Sequence, residues 1–208
     1  MADRYAVFVE GITGLDEAAG MGERVKVAAY QAINRTTERG RAQAAREIRD
    51  EVNFPARYLS PGEKRLFVSK KAQRADLEGR IRARTRATSL ARFVTGSVEP
   101  HKAGVRVEVA PGKARFLKRA FLVKLRAGSA SIDTRNNLGL AVRLKPGEVL
   151  RNKSDVRKLD RNLYLLYGPS IDQVFRARDG SGVAEDISPD LSSFLEREFL
   201  RLMELRRG

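Results

Sequence analysis

In Leu77-Glu78-Gly79-Arg80-Ile81-Arg82-Ala83-Arg84 the two kinds of side chain alternate without a slip: Leu77, Gly79, Ile81 and Ala83 fall on one side, and Glu78, Arg80, Arg82 and Arg84 on the other. Successive side chains of a strand point to opposite faces, so the pattern requires a strand with one face in a core and one face lined with arginine. Such a strand needs partners, and the sequence supplies them. Val105, Val107 and Val109 alternate with Arg106 and Glu108, Phe121, Val123 and Leu125 repeat the step, and Leu138, Leu140, Val142 and Leu144 do so again. Leu66-Phe67-Val68, Leu163 to Tyr167 and an opening run Tyr5 to Val9 read as further strands. Pro111-Gly112, Ala127-Gly128-Ser129 and Asn136-Asn137 mark turns. Strands that follow one another without intervening helices form an antiparallel sheet.

Helical periodicity brackets this region. Leu15, Ala18, Ala19, Gly22, Val25, Ala29, Ala32, Ile33, Thr36, Ala44, Ile48 and Val52 recur at steps of three and four, while Arg24, Lys26, Arg35, Arg39, Arg41, Arg46 and Arg49 take the opposite side. A helix over 15–52 would be about 55 Å long. Either Gly20, Gly22 or Gly40 breaks it, or it reaches out as an arm; otherwise it packs on the core with a solvated charged face. Asn53 to Gly62, with Pro55 and Pro61, ends it, and 53–76 reads as a loop region. At the other end Ser170 caps a short helix to Phe175. Ser188 as N-cap, Pro189 at the first helical position and Asp190 start a final helix over 188–207, with Leu191, Phe194, Leu195, Phe199, Leu202 and Leu205 on one face and Arg206 and Arg207 at its negative end. The expectation is a single α+β domain over 1–208: an antiparallel, sandwich-like sheet whose β-rich core spans 77–167, packed by a long N-terminal helix and a C-terminal amphipathic helix.

Composition narrows the function. With 41 Lys and Arg against 26 Asp and Glu the chain carries +15. Residues 24–92 hold 18 of those cations and 7 acids. That field favours a polyanion or an acidic protein face. There is no cysteine and one histidine, His101, so disulfides, thiolate metal sites and histidine zinc clusters are excluded. No apolar run approaches the ~20 residues of a membrane helix, and Met1-Ala2-Asp3-Arg4 opens no signal peptide, so the expected place is the cytoplasm or an assembly made there. No cofactor is expected.

Catalytic patterns are weak. Asp50-Glu51 and Glu185-Asp186 are adjacent pairs that do not converge on one bond, Asp179, Ser181 and Glu185 fail the spacing of a calcium loop, and Ser170 after Gly168-Pro169 lacks the glycines of a nucleophile elbow. Nor is there a phosphate-cradling loop with its lysine. The chain reads as a structural or binding protein and not as an enzyme. The arginine strand could meet phosphates without reading sequence, face an acidic protein, or stand in solvent. Aromatics around it are few and tryptophan is absent, which does not suggest base stacking there.

Five stretches in order add a resemblance: Ala32-Ile33-Asn34-Arg35-Thr36, Leu77-Glu78-Gly79-Arg80-Ile81, Thr88-Ser89-Leu90-Ala91-Arg92-Phe93, Arg119-Ala120-Phe121-Leu122-Val123 and Tyr167-Gly168-Pro169-Ser170-Ile171. From about Val25 to the final helix the chain resembles the minor tail protein Z family of tailed bacteriophages and prophages, also called tail completion proteins. The resemblance implies a virion component at the head-proximal end of the tail, assembled in the bacterial host cytoplasm. It implies a homo-oligomeric ring, six-fold at a tail, through which viral DNA passes. The partners it implies are tail terminator or tail tube proteins and head-completion or portal proteins. A twelve-fold adaptor below the portal of a short-tailed phage is the variant of this reading, and a free basic nucleic-acid-binding protein is the alternative to it. By alternation, Arg80, Arg82, Arg84 and Arg86 are the candidates to face DNA or a partner, and Ala29, Ile33, Thr36 and Ile48 the candidates for a subunit interface.

Overall fold

The computed structural model describes residues 22–96, 102–126, 137–149, 156–176 and 182–205, together with the backbone of 8–10. Its class is α+β. Among the described strands every pairing is antiparallel, and the strands form three sheets where the sequence suggested one. The chain divides into two compact units, each discontinuous in sequence.

One unit takes in Met1–Ile48, Arg57–Arg84 and Asp172–Gly208. Its frame is α1 (Glu23–Glu51), a sheet ordered β1 (Phe8–Glu10), β3 (Glu78–Ala83), β2 (Leu66–Lys70), and the C-terminal helix α3 (Val183–Glu204). Helix α1 passes through Gly40 without a break, and its stripe Ala28, Ala29, Ala32, Ile33, Thr36, Thr37, Gly40, Ala44 and Ile48 is buried. It is therefore a packed helix over its described length and not an arm; residues 15–21 lie outside the described residues. The two threonines fit this apolar stripe because their hydroxyls donate back to the carbonyls of Ala32 and Ile33 at 2.9 and 2.7 Å.

Two glycines set how closely the elements approach. A Cβ on Gly79 of β3 would come within 2.2 Å of Thr37 Oγ1, and one on Gly40 within 2.7 Å of Leu191 Cδ1. Small residues at these crossings let α1 lie directly on β3 and on α3. Farther up α1, Ala28 and Ala32 meet Leu202, with Leu195, Phe199 and Met203 around them. Asn34 ties the helix to the chain beyond β2: its amide donates to the Ala72 carbonyl at 3.0 Å and its Oδ1 accepts from the Ala72 N–H at 2.8 Å, the pairing a neighbouring strand would make.

Helix α3 starts at Val183, earlier than Ser188-Pro189-Asp190 implied, with Gly182 as N-cap and Pro189 inside the helix. Val183, Ala184, Ile187 and Leu191 are buried, so the apolar stripe continues upstream of the proline and outweighs the hydrogen bond that Pro189 cannot give. At the far end Leu205 is 67% exposed, off the packed face to which the spacing had assigned it. Arg206 and Arg207 lie outside the described residues.

The other unit takes in Arg49–Ala56 and Thr85–Ile171. It holds a five-stranded sheet ordered β10 (Val156–Asp160), β11 (Leu163–Gly168), β9 (Leu138–Arg143), β8 (Ala120–Lys124), with β4 (Thr88–Ser89) on β11, and a three-stranded sheet ordered β5 (Val94–Thr95), β6 (Val105–Glu108), β7 (Ala114–Leu117). Leu122 and Leu140 face each other across β8 and β9 and are buried. Val123, Ala141 and Leu165 form a cluster on the opposite face. Of the expected turns, Ala127-Gly128-Ser129 and Asn136 lie outside the described residues; Asn137 has φ +54°, and its amide donates to the Arg126 carbonyl at 2.9 Å. Asn53, just past α1, donates from its backbone N–H to Val109 O and from its side chain to Glu108 O, and Phe54 packs its ring 5.4 Å from that of Phe93. The short helix α2 (Ile171–Phe175) follows the buried Ser170 where this unit's residues end; from Asp172 on it belongs to the first unit.

Candidate nucleic-acid interface

Strand β3 keeps the alternation read from the sequence. Gly79, Ile81 and Ala83 are buried under α1, and Glu78, Arg80 and Arg82 stand half-buried on the other face. As the central strand it has neighbours on both edges, with Phe8 opposite Arg80 on one side and Phe67 opposite Arg82 on the other. The arginines are therefore held on a rigid element and present a fixed surface.

Carboxylates share that surface. Glu78 is ion-paired to Arg80 on its own strand and to Lys70 of β2 at 2.5 Å, and Lys70 also meets Asp76 at 2.5 Å. The irregularity between Val68 and Lys70 sets Lys70 opposite Arg80, which brings a third cation to Glu78 and Asp76. The Asp76 and Glu78 carboxylates raise the Lys70 ammonium above its ordinary range. Hydrogen bonds from Lys70, and then from Arg80, hold the Glu78 carboxyl below its own. Lys70 and Asp76 offset each other, so Arg80 and Arg82 with Glu78 leave this face about one net positive charge, as their own strand implies; what the structure adds is that Glu78 is locked into ion pairs. Sequence spacing puts Glu78 on the arginine face, but the approach of Lys70 depends on a β2 register that no local pattern encodes.

Arg84, just past β3, donates to the Tyr58 hydroxyl at 3.3 Å, and Arg65 stacks on the Tyr58 ring, 4.1 Å from its centroid, while paired to Glu63. Arg86 is exposed but belongs to the other unit, so the four candidate arginines do not all sit on one element.

The candidate interface residues of α1 lie inside the chain. Ala29 is 3% exposed, Ile33 1%, and Thr36 and Ile48 0%. The helix uses that stripe for its own packing, so it offers no surface to a neighbouring copy, and the sequence expectation is corrected on this point. The exposed side of α1 carries Arg24, Arg35, Arg39, Arg46 and Arg49. Arg39 lies over the Phe194 ring at 4.6 Å, and Arg35 reaches Glu198 of α3.

Among the described residues no group of three or more histidine or acidic side chains could hold a metal ion, and no helix is long and apolar enough to cross a membrane. Asp50, Glu51, Glu185 and Asp186 are exposed. Asp179, Ser181 and His101 lie outside the described residues. No protein-family model, curated protein or solved structure matches this chain.

Proposed function

We propose that the chain is a structural protein of a tailed-phage virion: a tail completion protein that assembles as a ring at the head-proximal end of the tail and lets DNA pass. The ordered motifs from Ala32 to Ile171 support the family reading. The structural observation that carries it is the face of β3, where Arg80 and Arg82 are fixed outward on a central strand and their charge is partly offset by Glu78, while Lys70 and Asp76 offset each other. A conduit must attract phosphates without holding them, since each uncompensated cation adds affinity through counterion release. A rigid face with a small net charge meets that requirement better than a bare arginine ridge. The copies forming the ring would then meet through surfaces other than the buried stripe of α1.

Gold-labelled antibody on intact and gently disrupted particles from an induced lysate, viewed by electron microscopy, tests this. Label at the head–tail junction is the expected result. Label at the distal tip would refute the conduit role of the arginines, and particles without label in either preparation would refute the virion reading in favour of a free nucleic-acid-binding protein.

A further inference from the structure

The β6–β7 hairpin carries a feature that the sequence pattern did not reveal. Strand β7 is the outer strand of its sheet, and Ala114, Arg115 and Phe116 on it are all exposed. Phe116 is 58% exposed. Its ring does not hang free, because it lies across Gly104, where an added Cβ would come within 2.9 Å of Phe116 Cζ. Gly104 has φ +98° and is fixed by donating its N–H to the Ala120 carbonyl at 3.0 Å. One side of the ring thus rests on backbone and the other faces solvent.

Arg106, its register partner on β6, stands on the same face of the sheet as this ring, while Arg115 shares the opposite face with Val107; Lys113 and Lys118 lie just beyond the two ends of β7, and all four cations are exposed. Glu108 is the one acid between residues 102 and 118, and it is turned to the hairpin's own end, accepting from the Gly112 N–H at 2.8 Å. On the β3 face Glu78 and Asp76 sit in ion pairs among the cations; on this hairpin Glu108 is turned away from them.

We propose that the hairpin binds single-stranded nucleic acid, with Phe116 as a stacking platform for one unpaired base and Arg106 beside it, with Lys118 just past the strand, on the flanking phosphates. An aromatic ring with one open face beside a cation suits a strand whose bases are accessible, and stacking of this kind tolerates any base. Arg106 lies directly across the β6–β7 pair from Phe116, so ring and guanidinium present themselves to one strand on one face. An anionic membrane fits less well, because interfacial anchoring grows with buried apolar area and the hairpin exposes one large apolar side chain. This inference does not rest on the tail reading and would hold equally for a free binder.

The test is fluorescence anisotropy of the full chain with a labelled oligothymidine, a labelled duplex and anionic phosphatidylserine vesicles, with unlabelled polyglutamate as competitor. Phe116→Leu keeps an apolar side chain over Gly104 and removes the π-face. It is expected to weaken oligothymidine binding by on the order of 10-fold or more, with Phe116→Tyr restoring it. Arg106→Gln with Lys118→Gln should reduce the log–log salt slope by about 0.7 for each phosphate no longer neutralised. The pair Arg80→Gln and Arg82→Gln should leave the Phe116→Leu ratio unchanged. Oligothymidine binding that is indifferent to Phe116→Leu, that polyglutamate displaces as readily from wild type as from the variant, or that depends only on Arg80 and Arg82 would overturn the proposal. So would a Phe116 effect confined to the vesicles.

Discussion

Glu198 of α3 is buried among cations: its carboxylate accepts from Arg201 one turn on, at 2.7 Å, and from Arg35 of α1. Those hydrogen bonds, Arg201 first, pull its pKa down to about 2 from an ordinary 4.5. In the unfolded chain the carboxyl binds its proton at higher pH than in the folded one. The stability it contributes is therefore complete above about pH 4.5 and is lost as the pH falls toward 2. Glu198→Gln keeps the volume and removes the charge. It is expected to cost about 1–2 kcal/mol at neutral pH and to flatten the acid limb of the melting-temperature profile between those values. A wild-type profile and a variant profile that run parallel down to pH 2 would show that the two arginines do not act through this carboxylate. Proximity in sequence makes the Arg201 contact legible. The Arg35 contact, 163 residues away in the chain, is created by the crossing of α1 and α3 and has no local sign.

At the scale of elements, burial decides what the sequence makes visible. Strands β3 and β6 bury alternate side chains and were readable for that reason, while β8 and β9 bury residues on both faces, Leu122 and Leu140 on one and Val123 and Ala141 on the other, so alternation captured only part of them. Strands β7 and β10 were not readable, because they are outer strands held by hydrogen bonds to one neighbour while their side chains remain largely exposed. The hairpin on which Phe116 stands was thus hidden by the same exposure that makes it a surface. The start of α3 was misread for the opposite reason: Ser188-Pro189-Asp190 has every local mark of a helix start, yet Val183, Ala184 and Ile187 are buried and draw the helix past it. Pro189 then sits where a residue with an N–H would bond the Glu185 carbonyl. Pro189→Ala is expected to raise stability by at least ~1 kcal/mol toward the ~3 kcal/mol by which proline disfavours a helix interior, read from chemical denaturation. No gain would mean that the helix is already distorted there and that alanine restores nothing. Gly79→Ala tests the packing of α1 on β3. The added methyl would overlap Thr37 Oγ1 and press on Ile33 Cγ2 at 3.1 Å, so a loss of about 1–3 kcal/mol is expected by the same measurement. A neutral result would mean that α1 can lift off the strand at little cost.

For the whole molecule, the charge that points toward a polyanion also governs how copies of the chain can meet. Each copy brings +15. A ring repeats one heterologous contact by rotation, so every interface gathers more of the same sign. The buried stripe of α1 cannot supply compensating apolar contact, since Ala29, Ile33, Thr36 and Ile48 are already covered within the chain. Ala29→Glu should therefore lower the melting temperature of dilute protein, and not selectively dissolve an assembly. Repulsion between exposed charges is screened over ~10 Å at 0.1 M salt and ~3 Å at 1 M. If the proposed ring forms through surfaces that carry the surplus, sedimentation velocity should show single copies at low ionic strength. Assembly should then appear as salt is raised, or at low salt when polyphosphate is added to neutralise the excess. The reverse order, a ring at low salt that dissociates as salt rises, would mean that ion pairs between copies hold it together. In that case the surplus charge faces away from the contacts and is no obstacle to them. The direction of the salt response therefore reads which part of this basic surface the copies turn toward one another.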